Sequence, residues 1–220
     1  MAKTVLDIFS GTHSVSKACD VADSEWRCTT VDLTDSDYNV DVLTWDYKRD
    51  LRPGQFDLVW ASPPCRFFSR LRDSNTGRYG ITKESLQRDL ETKGLPLLEK
   101  ALDIIDYLKP KHYIIENPET GRMKDYMTGH SHHVLDYCAY ADWGYRKRTR
   151  LWTDVPGFSP RLCAGYGVCP STELNVVTGR WGHRLSTDSG TRGRRGTTRR
   201  TRYRVPPELI RQLLNLCQDC

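Results

Sequence analysis

"FDLVWASPPCRFFSR" (residues 56–70) starts as a strand and cannot finish as one. Phe56 to Ser62 is a short apolar run, the signature of a buried strand in a parallel sheet covered on both faces. Pro63 and Pro64 then fix two φ angles and remove two backbone donors, so the chain has to leave the sheet at that point. Cys65 therefore falls on a stiff loop at the carboxyl end of a strand, where open α/β sheets carry their sites. Arg66 and Arg70 beside it are expected to lower the thiol pKa, and the phenylalanines to anchor the loop.

Three more runs share the pattern: "TVLDIF" (4–9), "WRCTTVDL" (26–33) and "HYIIENP" (112–118) read as buried parallel strands ending in polar or turn residues. Helical patterns lie between them, one over 14–23 opened by Ser14 and one over 83–109, which Gly94 and Pro96 should split. "HHVLDYCAYADWGYRKRTRLWTD" (132–154) reads as two strands around a turn at Trp143-Gly144. Beyond residue 155 the periodicity gives way to Pro, Gly and Arg until "PPELIRQLLNLC" (206–217) forms an amphipathic closing helix. The expected fold is α/β, a Rossmann-like, doubly wound, mostly parallel sheet in residues 1–155. A small irregular basic insertion (156–205) and a C-terminal helix (206–220) packing back on the sheet complete it.

The formal charge of +5 is unevenly placed: Arg192, Arg194, Arg195, Arg199, Arg200, Arg202 and Arg204 crowd into one acid-free stretch. Such a block favours a polyanionic partner, with Trp181 and Tyr203 available to stack on bases. No apolar run reaches the roughly 18 residues of a membrane span, and "MAKTVLDIFS" has no secretory pattern, so an intracellular soluble protein is expected, in a bacterial cytoplasm or a eukaryotic nucleus, with no membrane partner; a monomer is expected as well. Eight cysteines in a chain of this length suggest catalytic or metal-binding thiols over a disulfide scaffold.

Four groups of residues carry chemistry. In "DIFSGTHSVSK" (7–17) the strand ends at Phe9 and Gly11 permits a tight turn, so backbone N–H groups of Ser10 to Ser14 would face an anionic or carboxylate-bearing ligand. Asp32 closes the next strand where an acid can accept from ribose hydroxyls; an ordinary βα turn with a nearby Asp is the alternative reading. Glu116 follows a run of apolar residues and must be paired or protonated, because a bare buried charge is costly. Arg148 and Arg150, two apart on a strand, share a face. Cys163, Cys169 and His183, with Cys138 upstream, are candidate ligands of a structural zinc, although the Cys spacing is wider than usual and unpaired thiols are the alternative.

Together these residues resemble the DNA (cytosine-5) methyltransferases. "DIFSGTHS" is similar to the family's first motif, "VDL" (31–33) to its second and Asp41 of "VDVL" to its third. "SPPCRFFS" is similar to the catalytic Pro-Cys motif, "ENP" to the Glu-Asn motif and "RTR" to the Arg-x-Arg motif. They occur in the family's order over residues 4–152, about two thirds of the chain. The resemblance implies double-stranded DNA as substrate and S-adenosylmethionine as cofactor. It makes Cys65 the nucleophile at C6 of a flipped cytosine, Glu116 the partner of its N3 edge, and Arg150 and Arg148 supports for the base and loop.

Phe9, Ser10, Gly11, Thr12, His13, Ser14, Asp32, Leu33, Asp41, Val42 and Pro63 would then hold the cofactor, and Pro64, Asn117, Arg66 and Ser69 the substrate. Departures exist: His13 and Ser14 stand where glycines are common, the glutamine usual before Arg-x-Arg is absent, and "ENP" replaces "ENV". The combination looks most like compact phage or viral members, with short or relaxed sequence specificity. Two rivals differ in class: an amino-group (N4 or N6) methyltransferase, because "SPPC" is close to a Ser-Pro-Pro-aromatic loop, and a non-catalytic nucleic-acid-binding module. RNA in place of DNA is a further variant.

Overall fold

The computed structural model describes residues 2–21, 24–176, 178–187 and 195–218. Arg192 and Arg194 of the basic block lie outside the described residues.

The four anticipated strands form at β1 (Lys3–Ile8), β2 (Trp26–Asp32), β4 (Leu58–Ala61) and β5 (His112–Pro118), with a two-residue β3 (Tyr38–Asn39) at one edge and a short helix α2 (Tyr47–Asp50) between β3 and β4. They join β6 (His132–Asp136) and β7 (Arg148–Thr153) in a seven-stranded sheet of order β3-β2-β1-β4-β5-β7-β6. Pairing is parallel from β3 through β5, while β7 runs antiparallel between β5 and β6. All four residues of β4 are buried, as its unbroken apolar run requires of a central strand.

Alternation along the strands divides the core into two layers. Leu6, Ile8, Val59, Ala61 and Ile115 face the helix α4 (Leu95–Leu108), which buries Leu98, Ala101, Ile104 and Leu108 at helical spacing. Val5, Leu58, Trp60 and Ile114 face α1 (Ser14–Cys19) and the closing helix, which buries Leu209, Ile210, Leu213 and Leu214 over Pro207–Leu216. Each buried Val, Leu or Ile among them stabilises the fold by roughly 1.5–3 kcal/mol relative to exposure.

Three expectations are corrected. The first helix stops at Cys19, short of residue 23. Gly94 and Pro96 do not split the second: α3 (Lys83–Asp89) runs through a π turn (Leu90–Gly94) into α4, with Gly94 itself helical. That turn shifts the register so that Pro96 enters near the start of α4, where its missing N–H costs little. The insertion is also more structured than its composition suggests. It contains an antiparallel pair, β8 (Thr172–Asn175) with β9 (Arg180–His183), a short parallel pair, β10 (Leu185–Ser186) with β11 (Arg195–Gly196), and the helix α5 (Arg199–Tyr203). The closing helix is α6. Because β2 and β3 lie on one side of β1, and β4 and β5 on the other, the sheet changes direction between β1 and β4. Ligands of doubly wound sheets collect at that crevice, outside the carboxyl ends of the strands.

Candidate active site

The loop leaving β1 is built from left-handed residues: Phe9 (φ 64°), Gly11 (φ 48°) and His13 (φ 57°). Only Gly11 adopts this conformation without steric cost. The turn is held because the N–H groups of Phe9 and Ser10 both donate to the Val31 carbonyl, at 2.9 and 3.2 Å. Asp32 fixes its far side, its carboxylate accepting from Gly11 N–H at 2.9 Å and from Leu33 N–H at 2.7 Å. The imidazole of His13 turns toward Asp35 (3.4 Å) and does not join the lining of the crevice. Ser14 Oγ accepts from Val205 N–H at 3.0 Å, tying this loop to the segment before α6.

The Pro-Cys loop is clamped from behind. Ser62 N–H donates to the Ile8 carbonyl at 3.1 Å, and the buried Asn117 Nδ2 donates to the Pro63 carbonyl at 2.9 Å. Cys65–Phe67 forms a tight turn closed by Phe68 N–H on the Cys65 carbonyl (3.1 Å), with Phe67 and Phe68 buried below. Gly94 is required there, since a Cβ on it would approach Phe67 Cβ to 2.9 Å. Asn117 thus holds the loop, and the Ser69 hydroxyl accepts from Leu71 N–H (3.3 Å) at the next turn, away from the crevice.

The crevice is a cavity of about 540 Å³. The β1 loop and the segments at the ends of β2 and β3 contribute Phe9, Ser10, Gly11, Thr12, Ser14, Asp32, Leu33, Asp41 and Val42 to its lining, and the segments after β4 and within β5 contribute Pro63, Pro64, Cys65, Arg66 and Glu116. Arg199 and Tyr203 of α5 and Val205 also line it, so the basic insertion reaches the site. Asp7 lies in the wall, and burial, reinforced by the neighbouring charge of Asp32, pushes its carboxyl well above the usual range.

Glu116 is 6% exposed, and its Oε1 accepts from Tyr137 Oη at 2.8 Å and from Lys147 Nζ at 3.1 Å. The pairing demanded of this buried acid is therefore met by residues not singled out in the sequence. Burial pushes the Cys65 thiol above its ordinary pKa, Lys147 and Arg202 draw it back down, and Glu116 adds to the rise. The expected acidifying role of Arg66 and Arg70 is corrected: the Arg66 guanidinium lies over the Phe67 ring at 4.5 Å, and Arg70 pairs with Asp125 at 3.4 Å. Both are spent on anchoring the loop, leaving Lys147 as the chief cation for the thiol.

Arg148 and Arg150 do share a face of β7, but neither lines the cavity. Arg150 makes a bidentate pair with Glu119 (2.5 and 2.9 Å), and Arg148 joins Arg146 on Asp136, which is fully buried. In the insertion, Cys163, Cys169 and His183 come together with Cys138, their ligand atoms all within 4.8 Å of one another.

The strand order and the crevice at its switch point define a Rossmann-like, doubly wound α/β fold with its ligand site at the carboxyl ends of the strands. No protein-family model matches the chain. It is 66% identical over 213 residues, covering 97% of this chain and 99% of the relative, to a "Probable DNA (cytosine-5)-methyltransferase" of Frog virus 3 (isolate Goorha). It is 30% identical over 99 residues to the Arabidopsis thaliana "DNA (cytosine-5)-methyltransferase 3", matching 45% of this chain and 6% of that protein. A solved "putative DNA modification methyltransferase encoded within prophage" from E. coli has a TM-score of 0.42 at 14% identity, over 69% of this chain and 46% of that one. The chain belongs to the DNA (cytosine-5)-methyltransferase family. Among the described residues, no helix is long and apolar enough to cross a membrane.

Proposed function

We propose that the chain transfers a methyl group from S-adenosylmethionine to C5 of a cytosine in double-stranded DNA, through a covalent adduct on Cys65. The observation that carries this reading is that Cys65, Glu116 and Lys147 line the same cavity as the β1 loop and Asp32. The donor fits the residues present. Ser10 Oγ is buried with no hydrogen-bond partner among the described residues, Asp32 retains acceptor capacity for ribose hydroxyls, and Phe9, Leu33 and Val42 offer apolar surface for a purine. When bound, S-adenosylmethionine would supply an electrophilic methyl group, the bond between that methyl and the sulfonium sulfur breaking to leave S-adenosylhomocysteine.

The residues divide the remaining work. A cytosine inside the duplex cannot reach Cys65, so it must be extruded, at a cost of a few kcal/mol recovered in cavity contacts. The Cys65 thiolate adds to C6, forming an S–C bond; the C5–C6 π pair moves to C4–C5 and the C4–N3 pair onto N3, leaving an enamine that is nucleophilic at C5. The Glu116 carboxylate, fixed by Tyr137 and Lys147, faces the N3 edge and accepts from the exocyclic amine and from the N3–H formed as N3 takes a proton from water. Once C5 carries the methyl, its hydrogen and the N3 proton pass to water, the S–C6 bond breaks, and the C5–C6 double bond, the cytosine ring and the thiolate are restored. Arg148 and Arg150 support this from outside the cavity by holding Asp136 and Glu119.

The test is product identity. Purified chain, methyl-tritiated S-adenosylmethionine and duplex DNA should yield tritium in 5-methyldeoxycytidine after digestion to nucleosides. Label in N4-methylcytosine or N6-methyladenine, or none, overturns the proposal.

A further inference from the structure

We infer that Cys138, Cys163, Cys169 and His183 form a closed structural zinc site that fastens the basic insertion to the strand edge behind the active site. The ligands come from separate parts of the chain. Cys138 lies in the turn after β6, Cys163 and Cys169 in the segment after β7, and His183 at the end of β9. Three sulfurs and an imidazole nitrogen within 4.8 Å of one another match the donor set and size of a tetrahedral zinc site. Zn–S bonds of about 2.3 Å and Zn–N bonds of about 2.0–2.1 Å give tetrahedral S···N edges of about 3.6 Å. Here Cys163 Sγ and Cys169 Sγ stand 3.6 and 3.8 Å from His183 Nε2. Soft thiolates with one imidazole select zinc over hard cations, and four protein ligands leave no open position, so the role is structural.

The surrounding contacts show what the metal would hold. Asp136, two residues before Cys138, accepts from Cys163 N–H at 3.0 Å while binding Arg146 and Arg148. Gly144 N–H donates to Ser171 Oγ at 3.2 Å, Leu185 N–H donates to the Gly144 carbonyl at 2.7 Å, and Arg184 pairs with Asp142. Tyr137, adjacent to Cys138, is the residue that donates to Glu116, and its N–H donates to the Lys147 carbonyl at 3.0 Å. A metal at these four ligands would thus hold the insertion and also stiffen the segment presenting Tyr137 and Lys147. The sequence spacing of Cys163 and Cys169 is unusual because they need not form a compact knuckle; β9 and the β6 turn bring the other two ligands from a distance.

The inference stands apart from the methyl-transfer reading and is tested without turnover. Elemental analysis of the purified full chain should give about one zinc per chain, and cobalt exchange should give the ligand-field absorption of tetrahedral thiolate coordination. Cys138→Ser and Cys163→Ser should lose the metal; Cys28→Ser should keep it. If the first two variants fail to fold, the wild-type chain still decides. With zinc present, Cys138, Cys163 and Cys169 should resist alkylation, and a chelator should expose them and open residues 162–187 to protease. Substoichiometric zinc, a disulfide among these cysteines, or chelation that changes neither alkylation nor proteolysis overturns the assignment.

Discussion

Replacing Lys147 with methionine keeps most of the unbranched side chain and deletes the charge that faces both Glu116 and Cys65. Nζ lies 3.1 Å from Glu116 Oε1, and the two side chains are 12% and 7% exposed, so the pair is shielded from water. At an effective dielectric of about 20, two unit charges at that distance attract by about 5 kcal/mol. Desolvation of both groups offsets part of this, and removing one partner of a buried pair costs about 3–5 kcal/mol. Taking the lower figure, with about 2–4 °C per kcal/mol for a chain of this size, Lys147→Met should lower the melting temperature by about 6–12 °C.

The same substitution has a separate chemical signature. Burial already raises the Cys65 thiol, and Lys147 is the strongest influence opposing that rise. Without it, thiolate forms only at higher pH, and the rising limb of the pH–rate profile for covalent capture of 5-fluorocytosine DNA should move in the alkaline direction. Glu116→Gln in the same chain removes the orphaned acid, so the double variant should be more stable than the sum of the two single losses implies. A wild-type pH profile together with strictly additive stability losses would refute the assigned role of Lys147.

Two further substitutions probe the frame around the site. Gly94→Ala places a Cβ against Phe67, which must shift the Pro-Cys loop; a loss of about 1–3 kcal/mol in thermal unfolding and at least tenfold in kcat is expected, with KM for the donor little changed. Arg199→Ala, at an exposed residue of α5 that lines the cavity, should weaken binding to DNA of any sequence and reduce the slope of log K against log salt by about 1, measured by fluorescence anisotropy.

Much of this was legible in the sequence because the central strands are short apolar runs with polar ends, and the Pro-Pro break leaves one exit for Cys65. The partners of Glu116 were not. Lys147 sits inside "YRKRTRLW", where every cation looks alike, and alternation placed Arg148 and Arg150 on one face without saying which face meets the cavity. The antiparallel pairing of β7 with β5, and capture of the arginines by Asp136 and Glu119, decides that. Tyr137 reads as an ordinary aromatic core residue until Glu116 is found against its hydroxyl. Similarly, the helical Gly94 reflects close packing on Phe67, a long-range contact that local propensity for a break does not encode.

The claim that a thiolate and an acid grip one extruded cytosine is tested most directly by mass spectrometry of a trapped complex. With S-adenosylmethionine and duplex DNA carrying 5-fluorocytosine, fluorine replaces the hydrogen that must depart from C5, so the sulfur–carbon bond cannot be released. The expected product is a denaturation-resistant adduct with the combined mass of chain, DNA strand and one methyl, mapped to the peptide containing Cys65 and absent in Cys65→Ser. Methylation of C5 in ordinary DNA by that variant, or an adduct on a different cysteine, would contradict the account.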